Sequence, residues 1–309
     1  MSRGLVYILL AMSCIGVTIP LGGALMMKFP VWLFTWITIF IAAIVMIPFA
    51  TITEKTKWLK LGKKNYYGIF MQALLTCTLY TVFQLYGLTY ASAISVGIIS
   101  SITPAVVFIL AFFLLRESLN LKKITAIVLA VIAVLIMNIA GVEIEGGSSL
   151  LGITFMLLAV LSLSLFFIYA KKFAVQLKPF TMVAGLCILG LIQTTPMALY
   201  ELSTFDMSVI TPTDWLGTII YGLIGWAISY TFTFLAMPRI NASTAGMATA
   251  IMPIVALVIA LLFYDASIRT VDIIALILVI ASIIIAEWQE KSQLTIHQDV
   301  IKESLEIEG

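Results

Sequence analysis

Ten long apolar runs separated by short polar connections constrain this chain more than any other feature of its sequence. They cover residues 5–26, 31–51, 66–88, 92–115, 124–140, 150–170, 182–200, 215–237, 243–264 and 271–286. Crossing the hydrocarbon core of a bilayer takes about 20 mostly apolar residues in a helix. Lipid offers no partner to an unpaired backbone N–H or C=O, so runs of this kind must be helical. A transmembrane barrel would need shorter segments of alternating polarity. Composition agrees: 62% of the residues are hydrophobic and 10% charged, against roughly 25% charged in an ordinary soluble domain. The expected fold is an all-α integral membrane protein with ten transmembrane helices.

The first run follows Arg3, as in a secretory signal, but it exceeds the roughly 7–15-residue apolar region of such a signal. It also lacks a clear small-x-small cleavage site. We read it as a structural helix.

Charge placement sets the expected orientation. With the N-terminus in the cytoplasm and ten alternating spans, every lysine and arginine except Lys28 and Arg269 falls inside, including the cluster Lys55, Lys57, Lys60, Lys63 and Lys64. The acids Glu143, Glu145, Glu201, Asp206, Asp214, Asp265 and Asp272 fall outside, although topology follows the basic residues rather than the acidic ones. The expectation is a multi-pass protein of the cell (inner) membrane with both termini cytoplasmic and a polar tail over 289–309. A net charge of +2 is too small to suggest nucleic acid.

Conventional catalysis has little to work with. Cys14, Cys77 and Cys187 are isolated within apolar runs, as buried free thiols would be, and the single histidine, His297, lies in the tail. No metal site, cofactor site or nucleophile–base set is expected. The expected partners are the lipid bilayer and a small-molecule solute, with the oligomeric state open.

A shift of 149 residues brings the two halves into register over two of the runs. Ala93 meets Ala242, Ser95 meets Thr244, Gly97 meets Gly246, Ser100 meets Thr249, and Pro104 meets Pro253. Small residues permit close helix contact, and proline loosens a helix and frees carbonyls. Gly97, Gly246, Pro104 and Pro253 are therefore candidates for packing, helix breaks or gating. The repeat divides the chain into 1–141 and 149–288. Five helices per repeat is an odd number, so the second copy enters the membrane inverted, an arrangement found in several secondary transporters.

The same shift pairs two polar-aromatic stripes. Cys77, Tyr80, Thr81 and Gln84 follow helical spacing in the third run; their counterparts in the eighth are Trp226, Ser229, Tyr230 and Thr233. Polar groups facing lipid are costly, so both stripes should face the interior or water. Interhelical hydrogen bonding explains such stripes as packing, at about 0.6 kcal/mol per contact. A wet, aromatic-lined cavity explains their pairing as a site. Thr18 and Pro20, Trp36, and Ser162 and Tyr169 are secondary candidates.

The stretch from Leu88-Thr-Tyr-Ala-Ser-Ala to Pro104, followed by Leu114-Leu-Arg-Glu-Ser-Leu119, resembles the EamA-type family of the drug/metabolite transporter superfamily. A second copy runs from Ala236-Met-Pro-Arg-Ile-Asn-Ala to Pro253 and ends at Leu262-Phe-Tyr-Asp265. The resemblance covers nearly the whole chain. It implies a ten-helix, inverted-repeat carrier of small organic metabolites, often an exporter of amino acids or related compounds. Ile15-Gly16 stands where the family commonly has Trp-Gly, and Arg116 replaces the usual glycine before Glu117.

No Asp, Glu, Lys, Arg or His occupies the middle of a run. Proton-driven carriers generally hold such a residue in the membrane, so facilitated diffusion or exchange of a neutral or zwitterionic solute is expected. A channel-like facilitator, an uptake carrier and a structural membrane protein stand as alternatives.

Overall fold

The computed structural model describes residues 2–90, 99, 100, 102–117, 121–139, 150–173, 177–263, 270 and 273–285. Among these residues every regular element is helical. In the first half lie α1 (Arg3–Met26), α2 (Val31–Thr53), α3 (Lys63–Ala73), α4 (Thr81–Tyr90), α5 (Thr103–Leu115) and α6 (Leu121–Ile139). The second half holds α7 (Leu150–Phe173), α8 (Pro179–Thr204), α9 (Pro212–Tyr221), α10 (Ser229–Ala236), α11 (Ala242–Ala248) and α12 (Ile251–Phe263). A last apolar helix, α13, covers Ile273–Ile285.

Two pairs of these helices are joined by π-helical turns. Leu74–Tyr80 links α3 to α4, and Gly222–Ile228 links α9 to α10. Seven helical stretches among the described residues are long and apolar enough to cross a membrane, including Lys63–Gly87, Pro212–Ala236 and Ala242–Phe263. All seven lie on predicted runs. The run predicted over 92–115 is described as a helix only from Thr103, and Gly97 and the 289–309 tail lie outside the described residues.

Local sequence explains the helix ends. Ser2 caps α1 by accepting a bond from the Leu5 amide at 3.2 Å. Thr211 and Asp214 form a reciprocal capping box at α9, with Pro212 in its first turn, where a missing N–H costs nothing. Arg116 closes α5 in the left-handed conformation at φ 55°, so the position of the family's usual glycine carries a backbone geometry that glycine adopts without strain.

Side-chain contacts fix which helix ends lie together. Lys28 pairs with Asp214 at 2.8 Å, and the Leu33 amide donates to Glu201 at 2.8 Å, joining the end of α1, the start of α2, the end of α8 and the start of α9. Glu54, just past α2, accepts bonds from the Phe180 amide at 3.1 Å and the Thr181 amide at 2.7 Å. Thus α2 and α8 are antiparallel, and each has its N-terminus capped by a carboxylate from the far end of the other. The two caps are related by the repeat: Glu54 and Glu201 differ by 147, as do Leu33 and Phe180.

At the Glu54 end, Lys171 donates to the Met237 and Ile240 carbonyls. Glu117 there accepts from the Ala242 amide at 2.7 Å and from the Ser243 hydroxyl. It also pairs with Lys123 at 2.6 Å, whose side chain is only 2% exposed. Every described lysine and arginine except Lys28 belongs to this end, which we call the basic end.

Neighbour relations repeat with the halves exchanged. Helix α1 packs on α10 and α12, while α7, its counterpart, packs on α4 and α5. The pair α2–α8 joins equivalent helices directly, and the pair α5–α11 also joins the two halves, although the counterpart of α5 under the 149-residue shift is α12. A Cβ added to Gly246 in α11 would lie 2.7 Å from the Val107 Cβ of α5, so the second pair has no room for a side chain there. Outward-facing Ile44, Phe113, Ile192 and Leu262 are exposed, a burden in water and a requirement in hydrocarbon.

Candidate functional site

A cavity of about 950 Å³ lies between the halves. It is lined by residues 15–26 of α1, 31–38 of α2, 80–85, 100–104, 156–163 of α7, 221–230, and 249–257, each set containing several of the lining side chains. In α1, α2 and the Lys63–Gly87 span the contributing part is the half away from the basic end, and in α7 and the Pro212–Ala236 and Ala242–Phe263 spans it is the middle, so the lining stops short of the basic end. The cavity is therefore one-sided. Its lining reaches the exposed Gly23, where a Cβ would meet nothing within 4 Å.

An aromatic wall gives the site its character. Trp226 and Tyr230 stack with centroids 5.3 Å apart and planes at 13°. Phe34 meets Tyr221 edge-on at 5.0 Å, and the Trp226 indole N–H donates to the Thr38 hydroxyl at 3.1 Å. Across from them, Tyr80 and Gln84 stand one turn apart in the lining, and the Thr81 hydroxyl donates to the Thr76 carbonyl at 3.0 Å. Hydroxyls of Thr18, Thr35, Ser100, Thr103 and Thr249 complete the polar part. Among the described residues none of the lining side chains is a carboxylate, an amine, a guanidinium or an imidazole.

The floor separates this cavity from the basic end. Thr76 and Tyr230 share a hydrogen bond across it, and Phe166 packs edge-on against Tyr230 at 5.6 Å and against Phe234 at 6.3 Å. Below lies the largest buried cluster, with Leu5, Ile8, Met12, Phe167 and Met237.

Helix breaks lie beside two of the cavity's prolines, Pro104 and Pro253, whereas Pro20 lies inside the continuous helix α1. A turn at Ile102 precedes Pro104 in the first turn of α5, and a turn at Thr249 and Ala250 separates α11 from α12, which carries Pro253. Thr103 and Thr249 donate to the carbonyls of Ser100 and Gly246, each at 2.7 Å.

Of the residues singled out in the sequence, Thr18, Pro20, Tyr80, Thr81, Gln84, Pro104, Trp226, Tyr230 and Pro253 line the cavity. Ser229 and Thr233 do not: their hydroxyls donate within their own helix, to Gly225 and Ser229, and both are buried. Trp36 instead donates to Thr195 of α8 at 2.9 Å and stacks on Phe40. Ser162 bonds to Leu158, Tyr169 stacks on Phe173, and Cys77 lies beside Gly190.

The reason for the split is the π-helical segment. The cavity takes Tyr221, Gly225, Trp226 and Tyr230; Tyr221 and Trp226 are five residues apart, as are Gly225 and Tyr230, which is the wider turn of i→i+5 bonding. A 3.6-residue template places Ser229 and Thr233 on that face and omits Tyr221. Past the corresponding segment, Tyr80, Thr81, Gln84 and Leu85 follow ordinary α spacing. Phe34, Thr35, Thr38 and Tyr221 were not picked out by the sequence. Their only signal was aromatic or hydroxyl character within apolar runs, which packing residues share.

Apolar spanning helices that enclose a one-sided cavity define a multi-pass membrane protein of the transporter kind. The EamA-like transporter family matches residues 2–139 and 150–288, and the chain belongs to that family. An uncharacterized transporter of Bacillus subtilis, YetK, is 27% identical over 283 residues, covering 91% of this chain and 86% of that protein. A second from the same organism, YvbV, is 25% identical over 90% of the chain and 89% of its own length. An uncharacterized transporter of Archaeoglobus fulgidus is 25% identical over 66% and 69%. A crystal structure titled only as that of a protein shares the fold, with a TM-score of 0.79 at 16% identity, over 95% of this chain and 99% of that one.

Proposed function

We propose that the chain moves small organic metabolites, such as neutral or zwitterionic amino acids and related compounds, by alternating access. In this reading ten helices form two inverted five-helix repeats in the cell's inner membrane, the basic end faces the cytoplasm, and the protein works as an exporter or exchanger. The observation that carries the reading is the cavity: aromatic and uncharged polar, between the two halves, and closed at one end only.

Its volume falls within the roughly 300–1,000 Å³ of small-molecule sites. Aromatic faces of Trp226, Tyr230 and Tyr80 suit the apolar part of a solute and attract an ammonium group. Gln84, Thr81 and Thr38 can orient polar groups. With no charged side chain in the lining among the described residues, the solute's own gradient, rather than protons, drives the cycle. The Thr76–Tyr230 floor favours a carrier over a channel, because a channel needs a continuous path. The basic end is placed in the cytoplasm by the lysine and arginine rule.

The test begins with a thermal-shift screen of the purified protein against metabolites, since a ligand of the folded state stabilises it by mass action. Binding and counterflow of the hit are then compared in Tyr80→Ala, Trp226→Ala and Phe108→Ala. Phe108 packs outside the cavity against the Ala126–Ile127–Met247 cluster. Loss of a stacking or hydrogen-bonding partner should weaken solute affinity by about tenfold to a hundredfold, or about 1–3 kcal/mol, in the first two variants alone. Unchanged affinity with a lowered melting temperature in both would make the stripes helix packing and overturn the reading.

A further inference from the structure

We infer that Gln72, Thr76, Ser229 and Thr233 form the solute-contacting lining of the cavity when it faces the basic end, with the Gln72 side-chain carbonyl accepting a hydrogen bond from an N–H of the solute. This rests on the alternating-access reading above and goes beyond it by naming the second half of the pathway.

Gln72 supplies the first observation. It is fully buried, and its amide nitrogen donates to the Gly68 carbonyl at 3.0 Å. Its Oε1 has no partner. An unsatisfied buried acceptor costs about 1–3 kcal/mol, and such groups call for a reason. Gln72 stands one helical turn before Thr76, the floor residue, and two before Tyr80, the cavity residue. The three form a polar column that begins in the open cavity and continues through the floor.

The repeat supplies the second observation. The spans Lys63–Gly87 and Pro212–Ala236 differ by 149 at both ends, the same shift as in the sequence. Under it, Tyr221 corresponds to Gln72 and Gly225 to Thr76; Tyr221 and Gly225 line the present cavity, whereas Gln72 lies buried beyond the floor. Conversely, Tyr80 and Gln84 line the cavity, and their counterparts Ser229 and Thr233 are buried outside its lining. In an inverted repeat the two halves exchange conformations when access alternates. Positions buried now take the part their counterparts play in the outward cavity. The hydroxyls of Ser229 and Thr233, satisfied by their own helix while buried, remain able to accept when exposed.

An unpartnered carbonyl selects the ligand chemistry: it needs a donor, which an ammonium or amide N–H provides and a carboxylate does not. Tyr221, at the equivalent place in the present cavity, can accept from the same group through its hydroxyl oxygen.

The test uses the full chain in membrane vesicles of both orientations, with Cys14, Cys77 and Cys187 replaced by alanine or serine. Single cysteines are introduced as Gln72→Cys, Thr233→Cys, Gly23→Cys and Leu186→Cys. The probe is a charged methanethiosulfonate, which reacts only where water reaches. Gly23→Cys should react from the face opposite the basic end. Gln72→Cys and Thr233→Cys should react from the basic face, at least about tenfold faster than Leu186→Cys, a buried position on the capped helix α8. Thr233→Cys is nearly isosteric and preserves the test if Gln72→Cys does not fold. Reaction of both no faster than Leu186→Cys, with Gly23→Cys reactive, overturns the inference and leaves the cavity reading standing. An unreactive Gly23→Cys would instead count against the cavity reading itself.

Discussion

The pair α2–α8 and the pair formed by the Lys63–Gly87 and Pro212–Ala236 spans obey the same repeat, yet they are built in opposite ways. In α2–α8 both helices are regular, and each amino end is capped by a carboxylate of the other. In the second pair both helices contain a seven-residue π segment, and a side-chain hydrogen bond between Thr76 and Tyr230 joins them. Carboxylates at helix amino ends satisfy orphan N–H groups and oppose the helix dipole. π-Helical turns loosen the backbone and concentrate at functional sites. One pair therefore serves as a frame and the other as the deformable wall of the cavity. Symmetry gives each repeat one helix of either kind.

The frame is tested first, where the largest effect is expected. Glu54→Ala removes the acceptor of two amides and the Thr181 hydroxyl, and should cost about 1–3 kcal/mol, seen as a lower melting temperature in detergent. Glu201→Ala should act in the same direction. A melting temperature unchanged in both, with exchange abolished, would make α2–α8 a moving part and break the comparison.

A smaller effect should appear in hydrogen exchange. Amides of Leu74–Tyr80 and Gly222–Ile228 should exchange about tenfold faster than those in the middle of α2 and α8, equivalent to about 1.4 kcal/mol less opening free energy. Equal protection would show that the π segments are as rigid as the frame.

The smallest expected change sharpens the picture at the basic end. Arg116 holds φ at 55° beside Glu117, which caps α11. Arg116→Gly relieves the left-handed geometry and should raise stability by up to about 1 kcal/mol, measured as a melting shift with transport unchanged. A lower melting temperature would mean that the arginine side chain contributes more than its backbone costs.

The amino-acid sequence by itself determined the membrane class, the seven spans that the described residues show as long apolar helices, and the family. Those depend on run length and polarity, which lipid enforces locally at each residue. It also marked Tyr80, Thr81, Gln84, Trp226 and Tyr230 as special, because polar and aromatic groups are conspicuous in an apolar run. It did not separate Ser229 and Thr233 from Tyr221, since a regular helix and a π-helical turn present different faces from the same residues. Nor did it mark Trp36 as a contact to Thr195 rather than a cavity residue, or Glu54 and Glu201 as reciprocal caps. Those assignments depend on which helix lies opposite, through contacts between residues more than a hundred positions apart. Only the packing of one half against the other sets them.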